Sequence, residues 1–137
     1  VVFETLDPGV PATLSRRVIT DLLKGELGYE GVVISDDLEM KAVSERYGIT
    51  EAGVRAIEAG CDCLLVCSDV DALLRLRDAL VRRAESDAGF AERLRDAAER
   101  VLRLARAFPP STSLEDPPLV DDEAEALAAR LARGATA

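Results

Sequence analysis

The sequence predicts an α/β fold built on a parallel sheet, and three observations carry that prediction. Short apolar or β-branched runs alternate with segments of helical periodicity. The run Val32-Val33-Ile34 is continuous rather than alternating, which suits a strand buried on both faces. Strand–helix–strand order, repeated, implies parallel strands joined by right-handed crossovers.

The elements follow in chain order. Residues 1–4 read as the end of a strand. Asp7-Pro8-Gly9 and Pro11 then force a turn and a loop. Ser15 is placed to cap a helix over 15–27, with Leu14, Val18, Ile19, Leu22 and Leu23 as its apolar stripe and Gly28 as its stop. The second strand covers 32–34 and ends at Ser35-Asp36-Asp37. A loop and a partly helical segment occupy 38–47. Thr50 is predicted to cap a short helix carrying Val54 and Ile57, closed by Gly60. The third strand covers 63–66.

Ser68 or Asp69 caps the next helix, which runs to about residue 84 with Leu73, Leu76, Leu80 and Val81 inward. Phe90, Leu94, Ala97, Val101, Leu104 and Phe108 keep 3–4 spacing, the mark of a long amphipathic helix, and Pro109-Pro110 stops it. A Pro- and Ser-rich surface loop and an alanine-rich helix over 121–133, anchored by Leu127 and Leu131, complete the chain. Three strand–helix units fit the closing portion of a TIM (β/α)8 barrel followed by C-terminal helices. The chain starts at Val1 without an initiator Met, so it is expected to be a piece of something longer.

Composition bounds the partners. Of 137 residues, 48% are hydrophobic and 31% charged, enough apolar content for a core. The net charge of -9 repels nucleic acid and anionic membranes. No apolar run approaches the roughly 20 residues of a membrane span. The three cysteines, Cys61, Cys63 and Cys67, are odd in number and clustered, which argues against a disulfide framework. They read as small apolar residues in a reducing, cytoplasmic setting, not as metal ligands. With no histidine, neither a mixed Cys/His zinc site nor a Ser-His-Asp system can be built from this chain alone.

Chemistry concentrates at Ser35-Asp36-Asp37. Strand C-terminal ends face the ligand in parallel α/β folds, so a carboxylate there serves as nucleophile, metal ligand or base. By position alone it serves equally well as a loop cap. Arg16, Arg17 and Lys24 read as the solvated face of the first helix. Gly25, Gly28 and Gly31 precede a strand instead of following one, the wrong context for a phosphate loop.

The longer segment from Leu22-Leu23-Lys24 through Glu26, Gly31-Val32-Val33-Ile34 and Ser35-Asp36 resembles the active-site signature of family 3 glycoside hydrolases. Asp36-Asp37 followed by Leu38-Glu39-Met40 is similar to the bacterial β-N-acetylglucosaminidase branch. So are the flanks Leu6-Asp7-Pro8, Pro11-Ala12-Thr13-Leu14-Ser15 and Ala59-Gly60-Cys61-Asp62. Glu39 departs from the small or polar residue usual there.

The resemblance implies that residues 1–108 form the C-terminal part of the family's barrel, with 109–120 a loop and 121–137 a terminal helix and tail. It implies Asp36 as the nucleophile of a retaining hydrolase that acts on terminal β-linked N-acetylglucosamine in cell-wall recycling, without cofactor. Ser35 and Asp37 are expected to support it, Asp37 by turning away to bind backbone N–H groups or a basic side chain. Met40 is expected to wall the sugar pocket or pack in the core. The family's acid/base Asp-His pair lies upstream of the signature, so the chain alone is expected to be inactive and to need the missing N-terminal part of the barrel. Two other readings remain: a non-catalytic half-barrel that pairs with another chain, and a Mg²⁺-dependent phosphoacceptor using Asp36 and Asp37, with Asp69 as third carboxylate.

Overall fold

A computed structural model describes residues 1–109. Its order is a 3-10 turn at Ala12–Leu14, a π-helix at Arg17–Glu26, β1 at Ile34–Asp37, α1 at Lys41–Tyr47, α2 at Ile49–Ala59, β2 at Cys63–Leu65, α3 at Val70–Ser86 and α4 at Ala88–Ala107. Of the expected loop at 109–120 only Pro109 is described, and the expected helix at 121–133 lies outside the described residues.

β1 and β2 pair in parallel, as strand–helix alternation requires. The first expected strand does not form. Phe3 O accepts the N–H groups of Leu6 and Asp7, both at 2.9 Å, so the chain turns at once. Only an isolated antiparallel bridge between Val2 and Pro11 remains.

The second strand is shifted into the acidic motif: it spans Ile34–Asp37, not 32–34. Its start is set by a side chain. The Asp62 carboxylate accepts the Val33 N–H at 2.9 Å, in place of a strand carbonyl. The ladder matches Ile34 with Cys63 and Asp37 with Leu65, so β1 carries an extra residue between the two pairs. Ser35 lies in that bulge, and its hydroxyl accepts the Leu65 N–H at 3.0 Å. Burial on both faces is not observed either, since Ile34 is 54% exposed. The sheet has two strands among the described residues.

The first helix is capped as expected, with Ser15 Oγ accepting the Val18 N–H at 3.2 Å. It winds as a π-helix, however, and Leu27 N–H bonds back to Leu22 O. Gly28, at φ +67°, ends it. Gly48, not Thr50, precedes α2; Thr50 sits inside the helix. Asp69 caps α3 by accepting the Ala72 N–H at 2.8 Å, and Asp87 caps α4 through Phe90 N–H at 3.1 Å.

Two clusters make the core. Ile19, Ala56, Ala59 and Cys61 form one; Leu38, Val43, Ala52 and Leu76 form the other, and Leu14 and Leu64 pack against both. Small residues on α2 let its neighbours approach closely: Gly53 leaves room for the Leu76 side chain. Each large aliphatic side chain buried this way contributes about 1.5–3 kcal/mol. The outer stripes do not pack. Leu73 and Val81 of α3, expected inward, are 44% and 49% exposed, and Leu104 and Phe108 of α4 are also exposed. Between them, β2, α3 and α4 leave an apolar hollow of about 520 Å³ lined by Leu64, Leu73, Leu80, Leu94 and Val101.

Candidate active site

The three motif residues divide their work by position on the bulged strand. Ser35 is buried, its hydroxyl accepting from Leu65 N–H and donating to Asp36 O at 2.7 Å. Asp36 is exposed at the strand end. One of its oxygens, Oδ1, accepts the Asp37 N–H at 2.9 Å. Asp37 is half-buried and turns to its own backbone, where Oδ1 accepts the Glu39 N–H at 3.0 Å. The two adjacent carboxylates therefore point to different partners, which eases the repulsion between like charges. Leu38, with no exposure at all, pins the segment to the core, and its N–H bonds Leu65 O at 3.0 Å.

Glu39, which departs from the residue usual in the signature, places its carboxylate in a nest of donors on the loop after β2. It accepts Cys67 N–H and Ser68 N–H at 2.6 Å each, Ser68 Oγ–H at 2.6 Å and Asp69 N–H at 3.0 Å. The Ser68 hydroxyl foremost, then the backbone donors, hold its carboxyl below the usual carboxylate range. Met40 follows at the start of α1 and is 49% exposed, so it is not a core residue.

The sequence missed an ionic centre beneath this loop. The Asp62 side chain is fully buried. It accepts from Lys24 Nζ at 3.0 Å on both oxygens, from Arg93 Nη2 at 2.5 Å and from Val33 N–H. Burial alone pushes its carboxyl up, but the Val33 N–H, Arg93 and Lys24 outweigh burial and hold it below the usual range. Lys24 is therefore not on a solvated face. Burial pulls its ammonium below the ordinary lysine range, against the pull of Asp62. Arg16 and Arg17 remain exposed as expected. The only sequence signal for this centre was a carboxylate in an apolar stretch, Cys61-Asp62-Cys63, just where a strand begins.

The cysteines are free. Cys61 is buried, and burial foremost pushes its thiol up to about 11. Cys67 is exposed, so it is not the buried apolar residue expected; desolvation and then the nearby Asp37 carboxylate raise its thiol. Among the described residues no group of three or more Cys, Asp or Glu is placed to hold a metal ion. Asp69, the third carboxylate that a Mg²⁺ site would need, is taken up by capping α3 and by Arg75 at 3.5 Å. No described helix is long and apolar enough to cross a membrane.

Comparison with known proteins adds relatives to this geometry. The model described as "Glycosyl hydrolase family 3 N terminal domain" matches residues 1–104. A protein named Beta-hexosaminidase from Bordetella avium is 39% identical over 95 residues, which cover 69% of this chain and 26% of that protein. Another of the same name, from Alkalilimnicola ehrlichii, is 45% identical over 73 residues, 53% of this chain and 21% of that one. Among solved structures, a glycoside hydrolase family 3 beta-N-acetylglucosaminidase from Paenibacillus sp. str. FPU-7 superposes with TM-score 0.79 at 40% identity. The match covers 96% of this chain and 26% of that one. A Beta-N-acetylhexosaminidase from Beutenbergia cavernae gives TM-score 0.72 at 38% identity, over 76% of this chain and 31% of the other. The chain spans roughly a quarter of the length of these relatives.

Proposed function

This chain belongs to glycosyl hydrolase family 3, and on that premise we propose that it is a portion of a retaining β-N-acetylglucosaminidase with Asp36 as nucleophile. The observation that carries the reading is the Asp36 carboxylate itself. It stands exposed at the end of a bulged parallel strand, with Oδ1 held by the Asp37 N–H. Among the described residues no hydrogen bond falls on Oδ2, which leaves that oxygen for attack. An ionised Asp36 adds to the anomeric carbon as the leaving group departs, and water then displaces it. Two inversions give retention.

The proposed substrate is a carbohydrate ending in β-linked N-acetylglucosamine, as in muropeptides, and the proposed setting is cytoplasmic peptidoglycan recycling. The relatives named as beta-hexosaminidases and beta-N-acetylglucosaminidases support that substrate class. Residues 1–108 would supply the C-terminal part of the family's barrel. The half-exposed Met40, beside the Asp36 loop, would wall the sugar pocket.

General acid/base help is typically worth ~10²–10⁴-fold. The chain contains no histidine, so an Asp–His acid/base pair has to come from outside it. The test uses an aryl β-N-acetylglucosaminide. The 137-residue chain alone is expected to give no measurable hydrolysis. The same chain joined to its upstream segment should be active and should lose at least ~10³-fold on Asp36→Asn, since the covalent step is removed. Hydrolysis by the isolated chain that vanishes in Asp36→Asn would overturn the inactivity. Full activity of the joined Asp36→Asn variant would overturn the nucleophile.

A further inference from the structure

Glu39 is not among the residues that touch substrate in the reading above, yet it makes more hydrogen bonds than any other side chain in the strand-end loop. Its carboxylate is fixed at four donors, Cys67 N–H, Ser68 N–H, Ser68 Oγ–H and Asp69 N–H. These lie on the loop that follows β2 and opens α3. Three successive amides with an adjoining hydroxyl form an anion nest, here filled from within the molecule.

The hydrogen bonds continue toward the reacting atom. The Glu39 backbone N–H donates to Asp37 Oδ1 at 3.0 Å, and the Asp37 N–H donates to Asp36 Oδ1 at 2.9 Å. The Asp37 carbonyl in turn accepts the Met40 N–H at 3.1 Å. Each step therefore sets the orientation of the peptide before it.

We infer that Glu39 is a positioning residue for the nucleophile: by tying the loop after β1 to the loop after β2, it fixes the Asp37 peptide and thereby aims Asp36. The inference rests on Asp36 being the nucleophile. The distances also fit a carboxylate in particular. An Asp here is one methylene too short to reach donors on the neighbouring loop, while a Gln keeps the length and one acceptor oxygen but brings an NH₂ donor against amide donors.

Two measurements test it together. The first is amide hydrogen exchange at Cys67, Ser68 and Asp69 in the 137-residue chain. Glu39→Ala should accelerate exchange at all three by at least about 10-fold, because an intramolecular acceptor is lost. The second is hydrolysis of an aryl β-N-acetylglucosaminide by the chain joined to its upstream segment. A misaim of this kind costs on the order of 10–100-fold. Glu39→Ala and Glu39→Asp should lower kcat by that factor with KM within about 2-fold, and Glu39→Gln should recover part of it. Ser68→Ala, which removes one donor and leaves Glu39 in place, should move kcat the same way by a smaller factor.

An unchanged kcat in Glu39→Ala, with Asp36→Asn inactive, overturns the positioning role and leaves the nucleophile standing. Unchanged exchange at the three amides overturns it as well, and a rise in KM alone would assign Glu39 to substrate binding instead. If Asp36→Asn stays active, the nucleophile reading fails and the positioning role fails with it, whatever the exchange rates show.

Discussion

Lys24 Nζ lies 3.0 Å from both carboxylate oxygens of Asp62, and this pair joins the π-helix to the start of β2. Arg93 approaches the same carboxylate from α4 and also donates to Cys61 O at 2.6 Å. The fourth partner is Val33 N–H, at the entrance to β1. One buried carboxylate thus fixes where β1 begins and how the first and last described helices sit against it. The strand that presents Asp36 is held at its far end by this centre.

Asp62→Asn should be strongly destabilising. It leaves Lys24 and Arg93 facing a neutral group in a site from which water is largely excluded. Removing one member of a buried pair costs about 3–5 kcal/mol. The Lys24 and Arg93 side chains retain 15% and 21% exposure, so partial rehydration brings the expectation to the lower end, about 3 kcal/mol. Lys24→Met should cost less, because Arg93 still neutralises Asp62. Urea unfolding of the 137-residue chain measures both. An Asp62→Asn chain within about 0.5 kcal/mol of the parent, the scatter of ordinary surface changes, would contradict this account.

The same centre sets an acid limit. The folded-state pKa of Asp62 lies below that of an unfolded Asp, about 3.9. Its contribution is therefore fully present above about pH 4 and is lost as pH falls through the lower, folded value. Glu39, held by Ser68, and Asp87, held foremost by the Phe90 N–H, are shifted in the same direction and add to the same limb. The urea midpoint of the parent chain should fall steeply as pH drops below about 4, and that of Asp62→Asn less steeply. Parallel slopes for the two chains would remove Asp62 as a source of acid sensitivity.

How far the sequence could be read depends on whether a partner is local. Asp69 caps α3, and Gly28 and Gly60 close their helices, because those bonds are made within a few residues and residue type signals them. The candidacy of Asp36 rests on equally local grounds, since its immediate neighbours carry the family signature. The extent of β1 was not legible. Two of its ladder bonds are replaced by side chains, Asp62 at Val33 and the Ser35 hydroxyl at Leu65, and apolar patterning does not register such exchanges.

Lys24 was misread because its helix face is polar and its partner lies 38 residues away. The donors that hold Glu39 are just as distant, 28 to 30 residues on, so its neighbours in sequence do not signal them. Leu73, Val81 and Leu104 were placed inward because periodicity marks a helix's apolar face without saying whether another element covers it.

Gly60 gives a sharper test of the packing beneath the site. It closes α2 at φ +120°, a conformation that residues with a side chain rarely adopt. A Cβ there would lie 2.6 Å from Thr20 Oγ1 and 2.8 Å from Ile19 Cγ2. Neither neighbour can move freely. Ile19 is 5% exposed within the core, and the Thr20 hydroxyl donates to Ala59 O at 2.7 Å. Gly60→Ala therefore combines backbone strain with overpacking against the helix that carries Lys24, and about 3 kcal/mol of destabilisation is expected. Gly9→Ala separates the two effects. Its φ is +71° but nothing lies within 4 Å of the added carbon, so strain alone should cost about 1 kcal/mol. Urea unfolding of the two variants should place Gly60→Ala well below Gly9→Ala. Equal losses would mean that the π-helix yields to the new methyl group and that its contact with α2 is looser than the packing indicates.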